Sequence, residues 1–293
     1  MAVTGPLTLL HELTALQNMT ALFGGIYFHE LVAHLSFDWR LIRRHDGRGT
    51  TTAHIAKWTY LLCRALLVIF AVCAVTGSFP GHPDCRAVYK LLSASGFIGI
   101  ICSSSLLGIR VGAIWKWDKR VMALVTANCL GALGCAIFLV IKVDSTYEAQ
   151  LNNCALTSVH DDLYPSVAVL IGDCTLLALL LVGLRRNWGG AREFRMWHIL
   201  WTQGLLYLLL ATIVEVPLVA LLIVNLNPVM NTILIPPEVI ILGIGATRMY
   251  RSLNRTVRGD GHHIEHFTNG TSMEGNSATV ALQEIRLRAL RKE

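Results

Sequence analysis

A chain of 293 residues that is 54% hydrophobic and only 15% charged, with a mean hydropathy of +0.53, is not a soluble globular domain. Its net charge of +6 would suit nucleic acid if it lay on one face, but Lys and Arg gather in alternate gaps between apolar stretches, the pattern of a membrane protein. Once the apolar stretches are assigned, too little chain is left for a separate soluble catalytic domain.

Seven stretches, 14–37, 55–77, 87–114, 121–141, 164–184, 197–224 and 228–249, supply the roughly 20 apolar residues that a bilayer core about 30 Å thick demands. The expected fold is all-α, a polytopic membrane protein with seven transmembrane helices over residues 1–250 and a flexible cytoplasmic tail over 251–293. The first span serves as the insertion signal, since no basic region, short apolar core and small-residue cleavage site precede it. Arg40, Arg43, Arg44, Arg48 and Lys57 follow or flank that span on one side. Lys116, Lys119, Arg120, Arg185, Arg186, Arg192, Arg195 and the Lys and Arg of the tail from Arg248 onward fall on the same side, against Arg86, Lys90 and Lys142 on the other. The bias places the N-terminus outside and the C-terminus in the cytoplasm, with the basic loops against anionic headgroups.

Ionisable groups inside the spans are costly unless paired, hydrated or neutral, so each one needs a partner or a purpose. In the first span Glu30 lies at nearly the depth of Arg64 in the second, which predicts a buried Glu30–Arg64 ion pair with His29 or His34 beside it. Asp38 and Arg110, near the inner ends of the first and third spans, are expected to form a second pair. Asp173, Glu215 and Glu238, in the fifth, sixth and seventh spans, share their depth with no basic residue of the same helices. These three are the ligand-binding candidates: converging, they would make an acidic cavity for a cationic ligand or for protons, and apart they would be isolated acids bonded to nearby backbone.

Proline within the sixth and seventh spans, at Pro217, Pro236 and Pro237, is expected to kink them, because it frees backbone carbonyls. Gly131 with Gly134, and Gly243 with Gly245, are expected at close helix contacts. Cys63, Cys73, Cys102, Cys129, Cys135 and Cys174 fall inside spans as small apolar side chains, whereas Cys85 and Cys154 face the oxidising side and are expected to form a disulfide. The tail over 278–292 has the spacing of a basic helix on the inner leaflet, with a plain solvated tail as the equal alternative.

Other patterns carry little chemistry. His262, His263 and His266 with Glu265 sit in a polar run without cysteines, so no metal is assigned. No Lys in the seventh span excludes a retinal Schiff base there, and no nucleotide loop, paired zinc motif or hydrolase triad is present, so neither a cofactor nor an enzymatic activity is expected. The partners expected are the lipid bilayer and a cytoplasmic signalling partner at the basic inner loops.

Five motifs carry a resemblance. The run from His29 to Asp38, with an acid eight residues after another, Leu61-Leu62-Cys63-Arg64, Arg110-Val111-Gly112-Ala113-Ile114-Trp115 with Lys119-Arg120-Val121, Gly204-Leu205-Leu206-Tyr207 and Ala246-Thr247-Arg248-Met249-Tyr250 are the segments concerned. Together they resemble a large fungal family, best known in basidiomycetes, of multi-pass membrane proteins with an N-terminal domain of unknown function. The chain departs from it at Gly112, where an aromatic is usual, and at His34, where threonine is common. The resemblance implies a fold and the structural standing of Glu30, Asp38, Arg64 and Arg110, and it transfers no activity. Receptor-like signalling is the leading expectation and a proton- or cation-coupled transporter or channel the alternative. Arg110-Val111-Gly112 is not the Asp/Glu-Arg-Tyr motif of G-protein-coupled receptors, so the likeness to those receptors is one of topology.

Overall fold

The structure, a computed structural model, describes residues 6–43, 51–77, 84–143, 145–148, 153–156, 163–186, 195–224 and 228–257. The chain divides into two units, Met1–Arg251 and Ser252–Glu293. The described part of the second is the end of the last helix; the histidine cluster and the basic stretch over 278–292 lie outside the described residues.

Among its described residues the first unit is helical apart from one hairpin. Helices α1 (Pro6–Arg43), α2 (Thr51–Gly77), α3 (Cys85–Ile114) and α4 (Lys119–Lys142) are followed by an antiparallel pair, β1 (Ser145–Glu148) and β2 (Asn153–Leu156), which registers Tyr147 against Cys154. Then come α5 (Leu163–Arg186), α6 (Arg195–Val224), the short α7 (Pro228–Thr232) and α8 (Ile235–Val257). The all-α expectation therefore holds for the bundle, and the hairpin occupies the loop after the fourth span.

Among the described residues five helical segments are long and apolar enough to cross a membrane: α2, α3, α4, α5 and the stretch Val229–Asn254. The chain is thus a multi-pass membrane protein, with Leu130, Ile137, Phe138, Ile141, Ile171 and Ile223 exposed on its flanks, an arrangement that lipid favours and water does not. Two of the seven expected spans do not reach that standard among the described residues. Gln17, Asn18, His29, Glu30, His34 and Asp38 interrupt the apolar run of α1, and the apolar stretch found in α6 is the shorter Leu210–Val224.

The span of α3 is 61% buried and that of α4 only 17%, so α3 is the axis on which α2, α4 and α5 pack and α4 lies at the periphery. This overturns one expectation: among the described residues a Cβ added at Gly131 or Gly134 would meet nothing within 4 Å, so these α4 glycines make no close helix contact there. Gly243 does, since a Cβ there would overlap the Leu67 side chain of α2. The turn from α3 to α4 places Lys116 and Trp117 at φ of 52° and 62°, the left-handed region that costs a non-glycine residue about 1–2 kcal/mol. Local bonds hold it: Trp117 N donates to Gly112 O at 2.8 Å, and Asp118 caps α4 by accepting from Arg120 N at 3.0 Å. Trp117 folds over Gly112, where a Cβ would stand 3.2 Å from the indole and 2.8 Å from Met122 Sδ. That is a local reason for glycine where the resemblance would place an aromatic.

The proline expectation is corrected in part. Helix α6 runs through Pro217 unbroken, but Pro236 and Pro237 do not kink a helix; they begin one. A turn at residues 233–234 separates α7 from α8, and both prolines fall in the first turn of α8, where a missing N–H costs nothing.

Candidate functional site

At the end of the bundle where α1 finishes and α2 begins, a polar lattice binds four helices, α1, α2, α3 and α8. Arg64 bonds to Asp38, with Nη2 2.7 Å and Nε 3.1 Å from Oδ2, while Tyr60 donates to Asp38 Oδ1 at 2.5 Å. Glu30 takes Arg248 at 2.7 Å and Arg251 in a second, shorter ion pair, with His34 Nε2 3.4 Å away. Tyr250 stacks on Tyr60 at 4.6 Å between ring centroids, and Arg110 donates to the Met249 carbonyl.

Neither expected pairing forms: Glu30 is not bonded to Arg64, nor Asp38 to Arg110. The reason is the direction in which helical side chains lean. Each points back toward the N-terminus of its own helix, so Arg64, level with Tyr27 whose hydroxyl donates to the Arg64 carbonyl at 2.9 Å, extends past Leu31 toward Asp38. Arg248 and Arg251 lean back along α8, which runs parallel to α1, and reach Glu30 the same way. Of the expected histidines His34 is beside Glu30 and His29 is exposed. Sequence reasoning missed Tyr60, Arg248 and Arg251. The i, i+3 spacing of the two arginines beside the apolar face of the last span was the signal available.

The candidate acids occupy the other half of the bundle. Asp173, Glu215 and Glu238 are all buried, at 4%, 2% and 5% exposure. Ser104 of α3 donates to Asp173 Oδ1 at 2.6 Å, Glu215 lies beside Asp173, and Glu238 is near enough to Glu215 to act on its charge. Glu215 Oε1 has no hydrogen-bond partner among the described residues. Convergence is therefore partial: Glu238 lines a cavity of about 120 Å³ at this end, while Asp173 borders a separate gap of about 10 Å³ between α3, α4 and α5.

The larger cavity lies where α1, α3 and α8 begin and α2 ends, with Thr20, Phe70, Tyr89, Ser93, Ser166 and Glu238 among its walls. Farther along the same helices a packed apolar cluster, including Leu107, Leu176, Leu180, Leu242 and Ala246, separates the acids from the lattice. Cys85 is buried at the start of α3 and carries no free thiol, unlike Cys63, Cys73, Cys102, Cys129, Cys135 and Cys174. The side chain of Cys154 lies outside the described residues, although its backbone belongs to β2 and the hairpin packs against α3 through β1. Among the described residues no group of His, Cys, Asp and Glu is placed to hold a metal ion. No protein-family model, curated protein or solved structure matches the chain.

Proposed function

We propose that the chain is a receptor-like protein of seven membrane helices, at the plasma membrane, with its N-terminus outside and its basic loops and tail in the cytoplasm. The observation that carries the reading is the asymmetry of the bundle: a cavity with a buried acid in its wall at one end, an ion-pair lattice at the other, and packed leucines between. In this reading a ligand enters from outside and a shift of α8 against α1 and α2 passes the signal to a cytoplasmic partner. The orientation rests on the Lys and Arg bias, with Trp39, Trp58 and Trp117 exposed at the basic end as interfacial anchors. A Cys85–Cys154 disulfide fixing the hairpin to α3 belongs to the same proposal, as does membership of the fungal family that the helix motifs resemble.

A proton- or cation-coupled transporter is the second reading, and the juxtaposition of the buried acids Asp173 and Glu215 favours it. Proteoliposomes with an internal pH dye and an imposed potential separate the two. The receptor reading expects proton entry no faster than in empty vesicles, because the leucine cluster closes the path. Entry that disappears with Glu215→Gln would replace it by transport.

A further inference from the structure

We infer that the ion-pair lattice binds the phosphate monoester of a membrane-lipid headgroup through Arg64, Arg248 and Arg251. Charge points to an anion. At this end of the bundle the guanidiniums of Arg64, Arg110, Arg248 and Arg251 meet only two carboxylates among the described residues, those of Glu30 and Asp38. Arginine stays protonated even when buried, so two positive charges are left over. Arg110 is 8% exposed and donates to the neutral Met249 carbonyl. A phosphate monoester carries about −1.5 to −2 at pH 7, which matches the excess better than the single charge of a diester or a carboxylate.

Idle donors point to the same ligand. Arg64 spends Nε and Nη2 on Asp38, and its Nη1 is buried without a hydrogen-bond partner among the described residues. Arg251 spends Nη2 on Glu30, and its Nη1 is buried and unpartnered in the same way. Both side chains lie beside Tyr60, so the two idle donors belong to one neighbourhood. A buried cationic N–H left unbonded is costly, and phosphate oxygens are the acceptors that guanidinium forks fit best. Arg248 shares Glu30 with Arg251, and its side chain is 65% exposed, which opens the cluster to its surroundings. Trp39 and Trp58, exposed at this end, mark the level of the headgroups, so a lipid is the source of phosphate within reach. The orientation proposed above is needed only to place that lipid in the inner leaflet.

The test is calorimetric titration of the full chain in a neutral detergent with short-chain phosphatidic acid, a monoester, with phosphatidylglycerol of the same chains, a diester, and with inorganic phosphate, detergent alone serving as the blank. Phosphatidic acid should bind at least about tenfold tighter than phosphatidylglycerol, and Arg251→Gln should remove that preference. Equal binding of the two lipids, no binding of phosphatidic acid, or a preference that survives Arg251→Gln overturns the site. Inorganic phosphate binding as tightly as phosphatidic acid overturns the lipid as the source and leaves a site for free phosphate. Should Arg251→Gln not fold, Arg248→Gln, on an exposed side chain, must weaken phosphatidic acid by at least about threefold; unchanged affinity overturns the assignment. Detergent leaves both ends of the bundle open, so this result does not depend on orientation or on signalling, and loss of the receptor reading is distinguishable from loss of this site.

Discussion

The two ends of the bundle treat buried carboxyls in opposite ways. At the lattice end Asp38 and Glu30 are each fixed by arginine, so α1, α2 and α8 are bound into one unit. At the cavity end Ser104 donates to Asp173, Glu215 lies beside Asp173, and Glu238 lines the cavity wall. The same residue type gives rigidity where arginine holds it and gathers with other acids at the opposite end, which is how a membrane protein separates its fastening from its site.

The sharpest way to break that contrast is to remove one side of the best-bonded pair. Arg64→Leu strands Asp38 in an apolar surround and should cost about 3–5 kcal/mol in unfolding free energy measured in bicelles. A loss below 1 kcal/mol would mean that the lattice is not a fastening. Next comes the junction between the ends. Gly243→Ala pushes a methyl into Leu67 and should destabilise by about 1–3 kcal/mol, whereas Gly131→Ala on the open face of α4 should be neutral or slightly stabilising. Tyr60→Phe deletes the hydroxyl on Asp38 and should cost about 1.5 kcal/mol, with the Arg64 bonds preserved. Arg248→Gln should cost less than about 1 kcal/mol, because its side chain is 65% exposed and Arg251 still holds Glu30. The smallest effect belongs to the cavity end: Glu215→Gln offers an amide donor toward Asp173 at nearly the same size and should change stability by about 0.5 kcal/mol or less, in contrast to Arg64→Leu.

Much of the helical layout was legible, and much of the side-chain pairing was not. Hydropathy located α2, α3, α4 and α5 to within a few residues, because length and apolar content are properties of the chain itself. It also singled out Asp173, Glu215 and Glu238 as acids without local cations, and their partial convergence follows from the packing of α5, α6 and α8 around α3. Glu30 and Arg64 were matched by depth alone, which places backbones and ignores the lean of the side chain along its helix. Arg248 and Arg251 were read as the beginning of a tail, since nothing local shows that a helix end will fold against a residue 218 positions earlier. Pro236 and Pro237 carried the right signal for a helix start, but the apolar run on both sides of them hid the break at residues 233–234.

The most direct test of the two-ended account is side-resolved labelling of Ser93→Cys and Arg186→Cys with a membrane-impermeant maleimide, each above the background of the unmodified chain. The account predicts that position 93 reacts only from the side of the N-terminus and position 186 only from the opposite side. Labelling of both from one side, or of position 93 from both, would contradict it.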